Sequence, residues 1–174
     1  MITAEAARQY HCPRWNELPD VPLYMDQVVE IIRKVLDIFS DGEEPVITAP
    51  MINNYVRQKI IDPLVNKKYV RDHVSELIVI SLFKRSFSMQ EIKDVIHAIM
   101  DEYGIEEGYD LFCTELEEFM RISFVSDDND ITIARKGESA EVIMRLGLTA
   151  LFSKLMLQNR MEARRAGKKT APAD

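Results

Sequence analysis

The apolar run from Leu77 to Phe83 constrains the fold of this chain most, because only Ser81 within it is polar and the run must be buried on every side. Periodicity alone does not distinguish a buried strand from a buried helix here, but the length of the segment from Arg71 to Phe87 favours a helix. Ser88 and Glu91 follow directly, and a Ser and a Glu at this spacing form a capping box. The sequence therefore predicts one buried helix and a well-defined start for the next.

Apolar residues recur at helical spacing along most of the remaining chain. Thr48 is placed to cap a short helix, and Pro50 follows in its first turn. Gly104 is placed to end the helix that the capping box opens. We predict an all-α fold with helices over residues 23–39, 48–60, 71–87, 88–104, 106–122 and 139–166.

Two longer segments lack this periodicity. Residues 1–22 contain three prolines, and we predict an extended N-terminal arm with Trp15 docked on the body. Residues 124–138 carry an acidic run and are predicted to form a mobile loop, in which residues 131–133 can form a short strand.

Composition excludes several classes of protein. Apolar residues make up 47% of the chain and charged residues 29%, as in soluble globular domains. The most apolar long stretch, residues 139–157, contains Glu141, Arg145 and Lys154, so we do not expect it to span a bilayer. No secretory signal is visible at the N-terminus. We therefore expect a cytoplasmic protein without a membrane partner.

The residues that bind metals or catalyse reactions do not form a known motif. Cys12 and Cys113 are far apart in the chain, and we expect reduced structural thiols. His11 beside Cys12 is a candidate ligand pair, but neighbouring residues rarely converge on one ion. His73 and His97 are expected to be solvated. Motifs for nucleophilic, phosphate-binding and zinc-dependent catalysis are missing, so we expect no metal, no cofactor and no enzymatic activity.

Charge is distributed unevenly along the chain. The formal net charge of -7 argues against a nucleic-acid partner, because DNA affinity depends on Lys and Arg side chains that neutralise phosphates. Residues 48–88, however, contain 7 basic and 3 acidic side chains, whereas both flanking segments are acidic. A basic block inside an acidic chain indicates an interaction surface, although a solvated charged face gives the same pattern.

Short motifs in this basic block recur together in a known family. They are Thr48, the segment Met51 to Pro63, the turn Lys67-Lys68-Tyr69, Asp72, Leu77 and the segment Phe87 to Ile92. This pattern resembles the winged helix-turn-helix of MerR-type transcription regulators. The resemblance implies that the helix holding Tyr55 enters the major groove, that the Lys67-Lys68-Tyr69 turn is a wing contacting phosphates, and that Ser88 opens the fourth helix.

A second likeness extends over most of the chain. It is carried by Cys12 to Pro19, Leu23 to Gln27, Met51 to Val56 and Lys67 to Tyr69. In these motifs the chain is similar to an uncharacterised bacterial family, domain of unknown function 1836. That likeness implies no biochemical role, so the expected function depends on the helix-turn-helix resemblance.

The resemblance and the residue chemistry together predict a DNA-binding transcription regulator. Asn pairs with adenine and Arg with guanine in the major groove, so the second helix is suited to reading base edges. Basic residues around it are suited to contacting phosphates. The predicted DNA-contacting set comprises Thr48, Asn53, Asn54, Arg57, Lys59, Lys67, Lys68, Tyr69 and Arg71.

Two positions depart from the MerR-type pattern. Asn53 stands where that family usually has Arg, which loses a contact to the groove or a phosphate, and Lys59 stands where it usually has Gly, which adds a cation. The roles of two tyrosines in this region are left open by the sequence. Tyr55 and Tyr69 can stack on sugars or pack between the helices and the wing.

The predicted architecture has four parts: an N-terminal arm (1–22), a winged helix-turn-helix domain (23–104), a C-terminal helical region (105–166) and a disordered tail (167–174). A single module makes few contacts to DNA, so we expect a homodimer on double-stranded DNA. The last helix is the candidate seam, although it can equally pack against residues 106–122 of its own chain.

Two alternatives remain open. The chain can be a protein–protein interaction module on a helix-turn-helix scaffold that does not bind DNA. An effector ligand is unknown, because the apolar stripe on the fifth helix is either core or the lining of an effector pocket. The members of this stripe are Phe112, Leu116, Phe119 and Met120.

Overall fold

The computed structural model is helical and describes residues 1–40, 42, 45–126 and 137–169. Its helices are α1 (Ala4–Gln9), α2 (Met25–Leu36), α3 (Ala49–Arg57), α4 (Arg71–Phe83), α5 (Met89–Phe124) and α6 (Ala140–Lys169). Short 3-10 helices cover Trp15–Glu17 and Asp37–Phe39. Within the described residues, β pairing is limited to isolated antiparallel bridges, Leu23 with Tyr69 and Val65 with Lys68. The predicted all-α class is confirmed.

Helix α4 lies at the centre of the fold. Ten of its thirteen residues are buried, and it packs against α2 and α5. At its C-terminal end, the Phe83 ring meets Phe112 of α5 edge-on at 5.9 Å between centroids. Gly147 of α6 approaches the same ring so closely that a Cβ there would lie 3.4 Å from it. Each large apolar side chain buried in this way stabilises the fold by about 1.5–3 kcal/mol.

The start of α5 is the predicted capping box. The Ser88 Oγ accepts a hydrogen bond from the Glu91 N–H (3.3 Å), and the Glu91 Oε2 accepts one from the Ser88 N–H (2.8 Å). Further along, Gly104 (φ 74, ψ 175) interrupts the helical geometry, in a region of φ and ψ that is open almost only to glycine. The helix end predicted at Gly104 is thus a break between two helical segments of α5.

Several predicted features differ from the structure. The arm is not wholly extended, because Thr3 caps α1 and Ala7 of that helix is buried. Helix α6 continues to Lys169, three residues into the predicted disordered tail, and residues 170–174 lie outside the described residues. So do residues 127–136, which include the predicted strand at 131–133.

His73 also differs from its prediction. It is 3% exposed, and its Nδ1 accepts a hydrogen bond from the Val70 N–H (3.0 Å) at the start of α4. The imidazole is therefore a buried cap of α4 and is not solvated. His97 is exposed, as predicted.

The N-terminal arm docks on α5 through one carboxylate. Glu117 accepts hydrogen bonds from both terminal nitrogens of Arg14 (2.8 and 2.6 Å) and from the Cys12 N–H (2.9 Å). Nearby, the backbone N–H of Trp15 donates to Asp110 Oδ1 (2.6 Å), and the Trp15 ring meets the Tyr109 ring of α5 edge-on, so the expected docking of Trp15 is confirmed. These contacts hold the arm against a helix that lies about a hundred residues away in the chain.

The docked arm also covers both cysteines. Cys12 and Cys113 are free and fully buried, one on each side of the contact between the arm and α5. Burial raises the pKa of the Cys113 thiol well above its usual range. Their reaction with a thiol reagent therefore reports whether the arm is docked.

Within residues 1–40, 42, 45–126 and 137–169, no helix combines the length and the hydropathy that a bilayer span requires.

We predict that Glu117→Gln lowers the free energy of unfolding by about 1–3 kcal/mol, because the charged acceptor of several hydrogen bonds is lost. Burial raises the pKa of Glu117, but the bonds from Arg14 and Cys12 outweigh this effect and the net pKa is lowered. The stabilisation is therefore present above the ordinary carboxyl pKa and is lost as the pH falls below it. Urea unfolding measures the change, and faster reaction of the cysteines reports release of the arm.

Glu118→Gln is the matched control, since its partner Arg121 lies on the exposed side of α5 and such pairs contribute little. Equal destabilisation by the two variants would contradict the role given to Glu117.

Candidate nucleic-acid interface

Helix α3 has an inner and an outer face, as its sequence predicts. Ile52 and Tyr55 are buried, whereas Asn53 and Arg57 are exposed. Thr48 caps the helix, its Oγ1 accepting a hydrogen bond from the Met51 N–H (3.4 Å). The polar face of α3 is therefore open to solvent, and the capping bond of Thr48 is directed at its own helix.

Arg57 and Asn54 act together on this face. The Arg57 Nη2 donates a hydrogen bond to Asn54 Oδ1 at 2.7 Å, which orients the guanidinium along the helix. This bond uses one of several guanidinium N–H groups, so the others remain available to an acceptor on a ligand. Asn54 itself is half-buried.

Helix α3 ends in a Schellman motif that places Lys59 at its C-terminal end. The Ile60 N–H donates to the Tyr55 carbonyl (2.9 Å) and the Lys59 N–H to the Val56 carbonyl (3.1 Å). Lys59 takes a left-handed backbone conformation with φ 54. Glycine is the usual residue at this position, because a Cβ is strained there. The exposed Lys59 side chain is thus held at the end of α3 at some cost in stability.

The predicted wing is a tight turn. The Lys68 N–H donates to the Val65 carbonyl (2.9 Å), and the two central residues, Asn66 and Lys67, have φ values of 51 and 62. Positive φ at both positions is typical of a type I′ turn, in which glycine is favoured at the second. Lys67 is exposed, whereas the Lys68 ammonium lies 4.7 Å from the centre of the Tyr24 ring.

Two predicted DNA contacts are directed into the protein. Tyr69 is 2% exposed and its ring meets His73 edge-on, so burial removes it from the predicted DNA-contacting set. Its backbone pairs in both directions with Leu23, which ties the turn to the start of α2. Arg71 is half-buried, with its guanidinium 5.7 Å from the centre of the Trp15 ring. For Tyr55 and Tyr69 the structure favours packing over stacking on sugars.

The nine predicted residues therefore fall into three groups. Four are exposed: Asn53, Arg57, Lys59 and Lys67. We call the first three, which lie on α3 and at its C-terminal end, the basic face of α3, and Lys67 lies on the turn that follows. Half-buried side chains flank these four residues at Thr48, Asn54, Lys68 and Arg71, and Tyr69 is buried. The sequence analysis did not predict the left-handed conformation of Lys59 or Lys67. The signal for Lys59 was that the MerR-type family usually has Gly at its position, and the signal for Lys67 was its place in a predicted turn.

The charge around this face is mixed. Lys59 borders a groove that also contains Asp62, Lys93 and Asp101. Within the described residues, no three His, Cys, Asp or Glu side chains converge in a way that could hold a metal ion. His11 lies between two carboxylates, those of Glu17 and Glu117, on the exposed side of the arm.

Comparison with known proteins defines the class of this chain. One family model, that of the domain of unknown function DUF1836, matches residues 13–112. The matched region begins in the arm and ends within α5. This is more than half of the chain, which therefore belongs to that family. No curated protein and no solved structure matched.

We predict that Lys59→Gly stabilises the fold by about 0.5–1 kcal/mol, since relief of the left-handed strain exceeds the added entropy of the unfolded chain. Gln58→Gly, one residue earlier at φ -83, should instead destabilise by about 0.5–1 kcal/mol. Chemical denaturation measures both. A loss of stability in Lys59→Gly would contradict the proposed strain.

Proposed function

We propose that this protein is a DNA-binding transcription regulator of MerR-like type, in which α3 enters the major groove and the Asn66–Lys68 turn serves as a small wing. The observation that carries the proposal is the basic face of α3, where the outer side of a short helix presents Asn53 and Arg57 to solvent and Lys59 follows at its C-terminal end. Asn and Arg are the side chains that read adenine and guanine through paired hydrogen bonds.

Backbone strain supports the same assignment. Lys59 and Lys67 both occupy left-handed positions at which glycine would lower the cost of folding. Strained residues cluster at functional sites, where the side chain has a use that offsets the strain. A cation at each of these positions is useful if the surface meets phosphates, because phosphate contacts set affinity and register on a duplex.

The acidic residues in the rest of the chain favour one orientation of approach to DNA. With a formal net charge of -7, the protein as a whole is repelled by DNA, and only its basic block is attracted. Such a distribution orients the approach to a duplex, so that α3 faces the groove. A regulator of this kind acts in the cytoplasm and catalyses no reaction.

A homodimer would place a second copy of α3 on the DNA, so that each subunit contacts one half of a two-fold symmetric site. One face of α6 packs on α5, which buries Met144, Leu148 and Leu151. The exposed side of α6 still carries Leu146, Leu157 and Met161, with exposed fractions of 47%, 61% and 44%. Their spacing places them on one stripe of the helix. We therefore propose this stripe as the dimer seam.

The DNA assignment predicts a difference between two substitutions. Arg57→Ala should weaken binding to a specific site by about 1–3 kcal/mol and relax base preference, whereas Lys67→Ala should weaken all sequences alike. Lys67→Ala should also reduce the log–log salt slope by about 0.9. Selection of bound duplexes from a random pool supplies the site, and titrations at several salt concentrations measure the affinities.

Arg8→Ala is the matched control, because it removes an exposed cation from α1 without touching α3. The proposal fails if the pool yields no enriched sequence or if all three variants bind as the wild type does.

The dimer predicts a change in mass in solution. Leu157→Glu should convert the dimer to a monomer, because it places a charge in an apolar seam. Val21→Glu, at an equally exposed apolar position in the arm, should leave the dimer intact. Light scattering after size exclusion measures the mass. A monomeric wild type, or a dimeric Leu157→Glu variant, would exclude this seam.

The exposed apolar stripe on α6 supports a second candidate function, that of a protein–protein interaction module. An exposed apolar stripe is typical of protein–protein interfaces, so the chain can be an interaction module that does not bind DNA. That alternative predicts indifference to duplex DNA together with loss of protein binding in Leu157→Glu. The selection experiment separates the two candidates.

A further inference from the structure

Helix α4 carries one carboxylate at the meeting point of two cavities. Glu76 borders a small apolar cleft of about 30 Å³ whose walls include Val79, Ile99 and Phe112. It also borders an open groove of about 400 Å³ between α5 and the chain that follows α3. Ile96 and Met100 also line both cavities, so Glu76 lies in the wall that the cleft and the groove share.

Glu76 lacks a partner of its own in this position. Its Oε2 is buried and accepts no hydrogen bond from the described residues. Lys59 and Lys93 both line the groove, but within the described part of the chain neither forms an ion pair with Glu76. A buried carboxylate oxygen without a donor is costly, and native proteins normally satisfy such an atom with a water, an ion or a ligand.

The groups around Glu76 make the junction acidic. Asp62 follows α3, Asp72 lies in the first turn of α4, and Asp101 lies on α5, whereas Lys59 and Lys93 are the cations and His97 is exposed at the rim. Burial, and then the charges of Asp62 and Asp72, raise the pKa of Glu76 to about 7. The four carboxylates at the junction, including Glu76, outnumber the two lysines, so a cationic ligand is favoured there over an anionic one.

We propose that this junction binds a small organic cation with a short apolar tail, a primary alkylammonium, with its ammonium on Glu76 and its tail in the cleft. An ammonium donates hydrogen bonds to the unsatisfied oxygen and neutralises the carboxylate. The tail lies against Val79, Ile99 and Phe112, whose apolar surface suits methylene groups and offers them no polar partner. The small volume of the cleft limits the tail to a few carbons.

The shape of the site follows from the break in α5. Gly104 lines the cleft, and its non-helical φ and ψ turn the first segment of α5 away from the second. Gly108 then allows close packing across the break, because a Cβ there would lie 2.5 Å from the Ile99 Cγ2. This ligand site stands independently of the DNA-binding proposal, since its test measures binding of the small molecule alone.

The test compares three ligands of the same size with different charge: n-butylammonium, n-butanol and butyrate. Calorimetric or NMR titration of the full-length protein near pH 8 should show that n-butylammonium binds at least about tenfold more tightly than the other two. Affinity for the cation should fall as the pH drops through about 7, because Glu76 becomes protonated there.

Glu76→Gln should abolish the preference for the cation, while Glu107→Gln, at an exposed position of α5, should retain it. Because Glu76→Gln removes a buried charge, it should fold and be at least as stable as the wild type at that pH. Equal affinities for the three ligands, no binding of n-butylammonium up to about 20 mM, or a preference unchanged in Glu76→Gln would each overturn the proposal.

Discussion

Burial of α4 is the constraint on which the rest of the structure depends. From Leu77 to Phe83 this helix is buried on every side, so other elements have to enclose it there. Helices α2 and α5 pack against it, and α6 reaches Phe83 at its C-terminal end. The break at Gly104 belongs to this enclosure, because the two segments of α5 can then follow different directions around the core.

Packing around α4 also determines which residues of α3 are exposed to solvent. Because Ile52 and Tyr55 are used for packing, the outer face is left to the polar residues of the same helix. The end of the helix and the following turn are then shaped by backbone geometry, with lysines at two left-handed positions. A surface built in this way has its cations on short segments of defined backbone geometry, and functional groups held on such segments are well positioned for a partner.

Two carboxylates beside this core, Glu117 and Glu76, differ in whether they have hydrogen-bond partners. Glu117 is satisfied by Arg14 and the Cys12 N–H, and it fastens the arm. Glu76 lies beside the same core with one oxygen unsatisfied, open to a groove. The contrast distinguishes a carboxylate that holds the fold together from one that is left for a ligand.

The sequence by itself determined the helices and several of their ends, since these depend on residues close in the chain. The capping box at Ser88, the cap at Thr48 and the glycine at 104 are local signals, and the motifs near residues 12–69 were sufficient to indicate the family. Only the tertiary structure decided which polar side chains are covered. Tyr69, predicted to contact DNA from a turn, and His73, predicted to be solvated on a helix, are both buried. Their cover depends on packing between segments far apart in the chain, as does the meeting of the arm with α5, and no local pattern encodes contacts of that range.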